Sequence, residues 1–141
     1  MLRCSNPYGE GQDGNRPQGA VGVFLSRLKE RKPIHIWGDG LAIRDYVYVK
    51  DIAEAFVLAT EMKTQSRAFN IGSGTGTSLN ELIKIMVDVT GVAPEVTYDR
   101  ARSLDVPVNV LDASLARREL GWMPRVGLVD GIRRTWASLH R

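Results

Sequence analysis

The chain has one cysteine, Cys4, so no internal disulfide can form, and its two histidines stand far apart at His35 and His140. No Cys/His cluster has the spacing of metal ligands, which leaves a metal-free protein as the expectation. No stretch approaches the roughly 20 apolar residues of a membrane span, and Met1-Leu2-Arg3-Cys4 has no apolar signal core. The expected location is therefore cytoplasmic, with no membrane partner. Charge of one sign is also scarce. The 19 Lys and Arg are nearly matched by 16 acids, a net of +3, and the two signs interleave, as in Lys29-Glu30-Arg31-Lys32. A nucleic-acid binder concentrates its positive charge on one face or in one run, so no nucleic-acid partner is expected. Repeats and low-complexity tracts are missing too, since the 14 glycines and 6 prolines are spread along the chain.

What is present is one domain's worth of core. The 141 residues, 43% hydrophobic and 25% charged, are globular in composition and long enough for a single core. The predicted domain therefore spans residues 1–141. Leu2 to Ser5 reads as a strand, closed by an Asn6-Pro7-Tyr8-Gly9 turn and a polar, Gly-rich loop through Gly19. Val21, Phe24, Leu25 and Leu28 stand at i, i+3, i+4 and i+7, one face of a helix, which Pro33 stops. Ile34 to Trp37 forms a short strand ended by Gly38-Asp39-Gly40. Tyr46 to Val49 reads as extended from its β-branched and aromatic residues. Asp51 is expected to cap the next helix, with Glu54 completing a capping box and Ile52, Phe56 and Ala59 supplying the apolar stripe.

Ala68 to Ile71 is the following strand. Ser78 and Glu81 form a second capping box, ahead of Leu79, Leu82, Ile83, Met86 and Thr90 at helical spacing, with Gly91 as the stop. Glu95–Tyr98 and Val108–Leu111 are weaker strand candidates. Asp112 is expected to cap a short helix ended by Gly121, and Leu128, Ile132, Trp136 and Leu139 mark a last amphipathic helix. Strands alternating with helices predict an α/β layer structure.

Several residues could carry chemistry. Arg44 follows a glycine-rich turn and could offer its planar guanidinium to a phosphate; the alternative is a surface ion pair with Asp39 or Asp45. Arg102 and Asp105 could contact a phosphate and a ribose hydroxyl, or pair with each other. Trp37 could stack on a base or belong to the core. Gly72-Ser73-Gly74-Thr75-Gly76 departs from G-x-G-x-x-G because Thr77 stands at the third glycine position, so it reads as a tight β-to-α turn and not a dinucleotide loop. Tyr46 and Lys50 match Tyr-x-x-x-Lys. A catalytic pair of that kind needs both groups one helical turn apart, so that the lysine lowers the tyrosine pKa. Here the segment reads as a strand, and the match is formal. His35 and His140 have no partner at recognisable spacing.

Taken in order, Leu2-Arg3-Cys4-Ser5-Asn6-Pro7-Tyr8-Gly9, Ile36-Trp37-Gly38-Asp39-Gly40, Arg44-Asp45-Tyr46-Val47-Tyr48-Val49-Lys50-Asp51, Phe69-Asn70-Ile71-Gly72-Ser73-Gly74 and Leu120-Gly121-Trp122-Met123-Pro124 resemble the carboxy-terminal half of extended short-chain dehydrogenase/reductases. Within that family, UDP-glucose 4-epimerases and related NAD-dependent sugar-nucleotide epimerases and dehydratases are most similar. The resemblance implies a small substrate-binding domain without the Rossmann domain, so no NAD bound by this chain alone and no catalytic residue within it. It implies that Asn6 donates its amide to the diphosphate or sugar of a UDP- or dTDP-sugar. Trp37 would lie against the pyrimidine, Arg44 on the diphosphate, and Arg102 with Asp105 on phosphate and ribose.

Two positions depart from the family pattern. Ser103-Leu104 replaces Pro-Gly, and Glu10 replaces a proline, putting a negative charge near the expected diphosphate. Three functional expectations follow. One is a sugar-nucleotide-binding module, another a half-enzyme completed by a separate Rossmann half, and the third a self-associating gene fragment that binds no ligand. The face left without its partner domain predicts a homo-oligomer.

Overall fold

The computed structural model describes residues 1–12, 19–101 and 106–140. Strands and helices alternate: β1 (Leu2–Cys4), β2 (Asn6–Tyr8), α1 (Ala20–Lys29), β3 (Ile34–Trp37), β4 (Ile43–Tyr48), α2 (Val49–Glu61), β5 (Phe69–Ile71), β6 (Gly76–Ser78), α3 (Leu79–Thr90), β7 (Val96–Asp99), β8 (Val108–Asn109), α4 (Ser114–Leu120) and α5 (Leu128–Ser138). β1 pairs with β5 and β3 with β7, both parallel. β4 is the hub of the third sheet. It takes β2 and β8 in parallel and β6 antiparallel. Parallel neighbours need long crossovers, which the helices supply, and the expected α/β class is what the structure has.

The helices form where the apolar spacing puts them. Val21, Phe24, Leu25 and Leu28 of α1 are all buried. α3 has the reciprocal box foreseen for it. The Glu81 N–H donates to Ser78 Oγ at 3.2 Å, and the Ser78 N–H donates to Glu81 Oε2 at 2.8 Å. Gly91 ends α3 at φ 70°, a left-handed conformation that glycine adopts without steric cost.

Alternating residues of β4 serve two cores. Tyr46 and Tyr48 join Tyr8, Leu25, Leu82 and Ile132 in one, whereas Val47 joins Ile52, Phe69, Ile71, Leu120 and Trp122 in the other. The crossing from β1 to β2 happens at the buried Ser5. Its N–H donates to the Ile71 carbonyl at 2.9 Å, and its hydroxyl donates to the Asp45 carbonyl at 2.6 Å.

Four local expectations are corrected. Asn6–Tyr8 is a strand and not a turn, because β4 supplies a parallel partner and Pro7 sits on an edge strand, where its missing N–H costs little. α2 starts at Val49 with Tyr48 as its N-cap, so Asp51 lies inside the first turn. There its buried carboxylate accepts the N–H groups of Arg125 and Val126 at 3.1 and 3.0 Å. The buried stripe of α2 runs through Ile52 and Ala55, while Phe56 is 55% exposed. Asp112 accepts the Ser114 N–H at 2.8 Å from one residue before the N-cap, Ala113.

Candidate functional site

The register of β2 on β4 sets Asn6 beside Tyr46. Arg44 lies two residues earlier on β4, hence on the same side of the sheet, roughly 7–8 Å away diagonally. The Asn6 amide donates one hydrogen bond to the Asp45 carbonyl at 2.9 Å, and among the described residues its second N–H and its oxygen have no further hydrogen-bond partner. Arg44 donates from Nη1 to the Ile43 carbonyl at 2.8 Å. Its other guanidinium donors have no partner among the described residues.

Neither acid proposed as an ion-pair partner meets Arg44. Asp39 accepts the Leu41 N–H at 2.9 Å. Asp45, fully buried, points to the other side of β4 and takes the Ser73 N–H and hydroxyl, the Gly74 N–H and the Leu111 N–H at 2.5–3.2 Å. The surface ion-pair reading of Arg44 is therefore overturned.

Two neighbours of Arg44 were not legible beforehand. Thr77 of β6 and Asn109 of β8 both stand opposite it in the strand registers. Only tertiary pairing brings them there. Tyr46, on the same face, has a buried hydroxyl without a hydrogen-bond partner. Burial pushes its pKa up to about 12, and the positive charge of Arg44 pulls the other way.

Trp37 ends β3 and is 48% exposed, so it is not a core residue. β3 alternates Ile34 and Ile36 inward with His35 and Trp37 outward. Its following turn is held by Asn80, whose amide donates to the Asp39 carbonyl at 2.9 Å and whose N–H donates to the Gly40 carbonyl at 3.1 Å. Arg102 and Asp105, with Ser103-Leu104, lie outside the described residues. Described residues close by on either side are placed: Ala101 packs beside Gly38, and the Pro107 carbonyl accepts the Ile43 N–H at 2.8 Å.

Glu10 does not add an open negative charge. Its carboxylate accepts the Tyr48 hydroxyl at 2.5 Å and the Lys50 ammonium at 3.2 Å. The Tyr48 hydrogen bond holds the Glu10 carboxyl below the usual range, helped by Lys50. Burial, with the Glu10 charge, pushes Tyr48 up to about 12. Arg134 lies over the Tyr48 ring, 5.8 Å from its centroid, a favourable cation–π distance.

Tyr46 stands on β4 and Lys50 in the first turn of α2, so the Tyr-x-x-x-Lys match is not a helical pair. The Gly72–Gly76 segment runs into β6 before α3, and its Ser73 and Gly74 amides are taken by Asp45. It therefore does not fit the diphosphate of NAD. Among the described residues no group of three or more His, Cys, Asp or Glu could hold a metal, and no helix is long and apolar enough to cross a membrane.

The described residues form a mixed α/β layer structure whose strand pairs are mostly parallel, with Arg44 and Asn6 on one sheet face. Residues 1–72 match the NAD dependent epimerase/dehydratase family. The chain belongs to that family. A putative UDP-glucose 4-epimerase of Methanocaldococcus jannaschii is 42% identical over 95% of this chain and 43% of its own length. The crystal structure of a Thermotoga maritima UDP-glucose 4-epimerase with UDP-glucose superposes with a TM-score of 0.93 at 40% identity, covering 99% of this chain and 45% of that one. A Bacillus cereus UDP-glucuronic acid 4-epimerase, in complex with UDP-glucuronic acid and NAD, gives 0.89 at 27% identity over 99% and 44%. The chain thus spans under half the length of these relatives.

Proposed function

We propose that this chain is the substrate-binding portion of an NAD-dependent sugar-nucleotide epimerase, holding a nucleoside-diphosphate sugar and performing no catalysis alone. The observation that carries the reading is Arg44. It shares a sheet face with Asn6, has spare guanidinium donors, and is not claimed by either nearby acid. A diphosphate suits such a group, because a guanidinium binds phosphate oxygens through charge-assisted, often bidentate hydrogen bonds. Trp37, exposed at the end of β3, offers its indole face to the pyrimidine. Arg102 and Asp105 complete the proposed set on phosphate and ribose.

Calorimetric titration with UDP-glucose tests this, with dTDP-glucose as comparison and NAD as control. Binding of a sugar nucleotide without NAD supports the reading. Silence toward both sugar nucleotides at millimolar ligand would overturn it for the isolated chain.

A second reading, a half-enzyme completed by a Rossmann half, is favoured by β1 and β5. They form a parallel sheet of only two strands among the described residues, whereas parallel sheets are ordinarily larger and covered on both faces. In this reading β1 takes a further strand along its free edge. Mixing the chain with a separately expressed Rossmann half and assaying epimerisation tests it. Self-association through the same edge would instead appear as a concentration-dependent oligomer on sizing chromatography.

A further inference from the structure

A cleft among the described residues lies away from Arg44, on the side of β4 to which Asp45 points. It has a volume of about 560 Å³ and opens between the Gly72–Gly74 turn and α4, with Trp122, Met123 and Pro124 along one wall. That volume is in the range of small-molecule sites. The cleft also lies just past the carboxyl end of the parallel strand β5, where ligands of α/β sheets characteristically bind.

Its walls are fixed by the protein itself. The buried Asp45 carboxylate ties Ser73, Gly74 and Leu111 together. The Trp122 indole N–H donates to the Asp51 carbonyl at 2.8 Å. A pre-formed cleft loses little conformational entropy when it is filled. One cation lines it, Arg117, whose guanidinium has no ion-pair or hydrogen-bond partner among the described residues. The one lining carboxylate, Asp112, is engaged by the Ser114 N–H at 2.8 Å. Met123, 44% exposed, offers an apolar rim beside the buried Trp122.

We infer that this cleft is a second ligand site, for a small amphipathic anion whose flat apolar part lies against Met123 and Pro124, above the buried Trp122, and whose anionic group meets Arg117. The site is separate from the Arg44 face and does not depend on the proposed sugar-nucleotide reading.

Phenyl phosphate, a flat ring carrying one phosphate, is the probe. Titration followed by amide NMR is expected to shift Gly72–Gly74 and Ala113–Arg117 with a Kd on the order of 1 mM. Arg117→Gln should weaken binding about fivefold or more, by loss of a charge-assisted contact. Met123→Glu, at an exposed position, should weaken it comparably by repulsion, and Asp112→Asn should tighten it about twofold. Saturating UDP should leave the titration unchanged. Shifts that map to the Arg44 face, displacement by UDP, no shifts up to about 20 mM probe, or affinity unchanged from the parent in both Arg117→Gln and Met123→Glu would each overturn the inference.

Discussion

Adjacent residues of β4 carry opposite charges and are used in opposite ways. Asp45 is fully buried and its carboxylate accepts four hydrogen bonds from two other segments. Arg44, one residue earlier, faces the other side of the sheet and gives one hydrogen bond to its own chain. A buried charge is tolerated only when its hydrogen-bonding capacity is satisfied, so Asp45 is committed to structure. The half-buried Arg44 guanidinium keeps donors that no described residue takes, which is what the proposed anion contact requires. The comparison teaches that the number of bonds a charged group already makes separates scaffold from site better than its identity or position in the sequence.

The test with the largest expected effect removes the scaffold charge. Asp45→Ala leaves three backbone N–H groups and the Ser73 hydroxyl without their acceptor, and should cost about 3–5 kcal/mol in urea unfolding. A loss below about 1 kcal/mol would erase the distinction drawn between the two faces. Arg44→Ala should do the reverse. Its unfolding midpoint should stay near the parent's, while UDP-glucose affinity in calorimetry falls by about 1–3 kcal/mol. If stability drops and affinity does not, Arg44 belongs with the scaffold.

Smaller effects sharpen the boundary. Ser78→Ala removes the cap of α3, which leads directly from the strand facing Arg44, and should cost about 1 kcal/mol of stability with no change in ligand affinity. The Glu10 clasp adds a pH signature. The folded carboxyl lies below its ordinary value of 4.5, chiefly through the Tyr48 hydrogen bond. The unfolded chain therefore takes up the proton first as the solution is acidified. The clasp's contribution is complete above that ordinary value and disappears as pH falls through the lower folded value. Unfolding curves between about pH 6 and pH 3 should show this loss in the parent and not in Glu10→Gln; parallel curves would assign Glu10 no coupling to folding.

Much of the fold was legible because it is local. The stripe of α1, the inward–outward alternation of β3 and the full capping of α3 need only residues a few positions apart. The misreadings share a different cause. Asn6–Tyr8 has turn composition, yet pairs in register with residues 46–48. Asp51 has the spacing of a capping residue, but its carboxylate is claimed by Arg125 and Val126, more than 70 positions away. Phe56 looks like a core residue and is exposed, because Ala55 is the residue that faces β4 and β5. In the candidate site, Asn6, Trp37 and Arg44 were singled out from residue type and family resemblance, whereas Thr77 and Asn109 gave no signal, being ordinary polar residues until strand pairing sets them beside Arg44.

The sequence by itself determined the α/β class and most helices, since periodicity, caps and turn residues act within a few positions of the chain, while the family rested on the resemblance of its motifs taken in order. Only the tertiary structure decided which charged groups are spent and which are free. Asp45 and Arg44 are neighbours in sequence with the same apparent chemistry of a surface ion pair, and alternation along β4 sends them to opposite faces. What each then meets, a ring of hydrogen-bond donors for Asp45 or Thr77 and Asn109 for Arg44, depends on segments up to 66 residues distant, which no local pattern encodes.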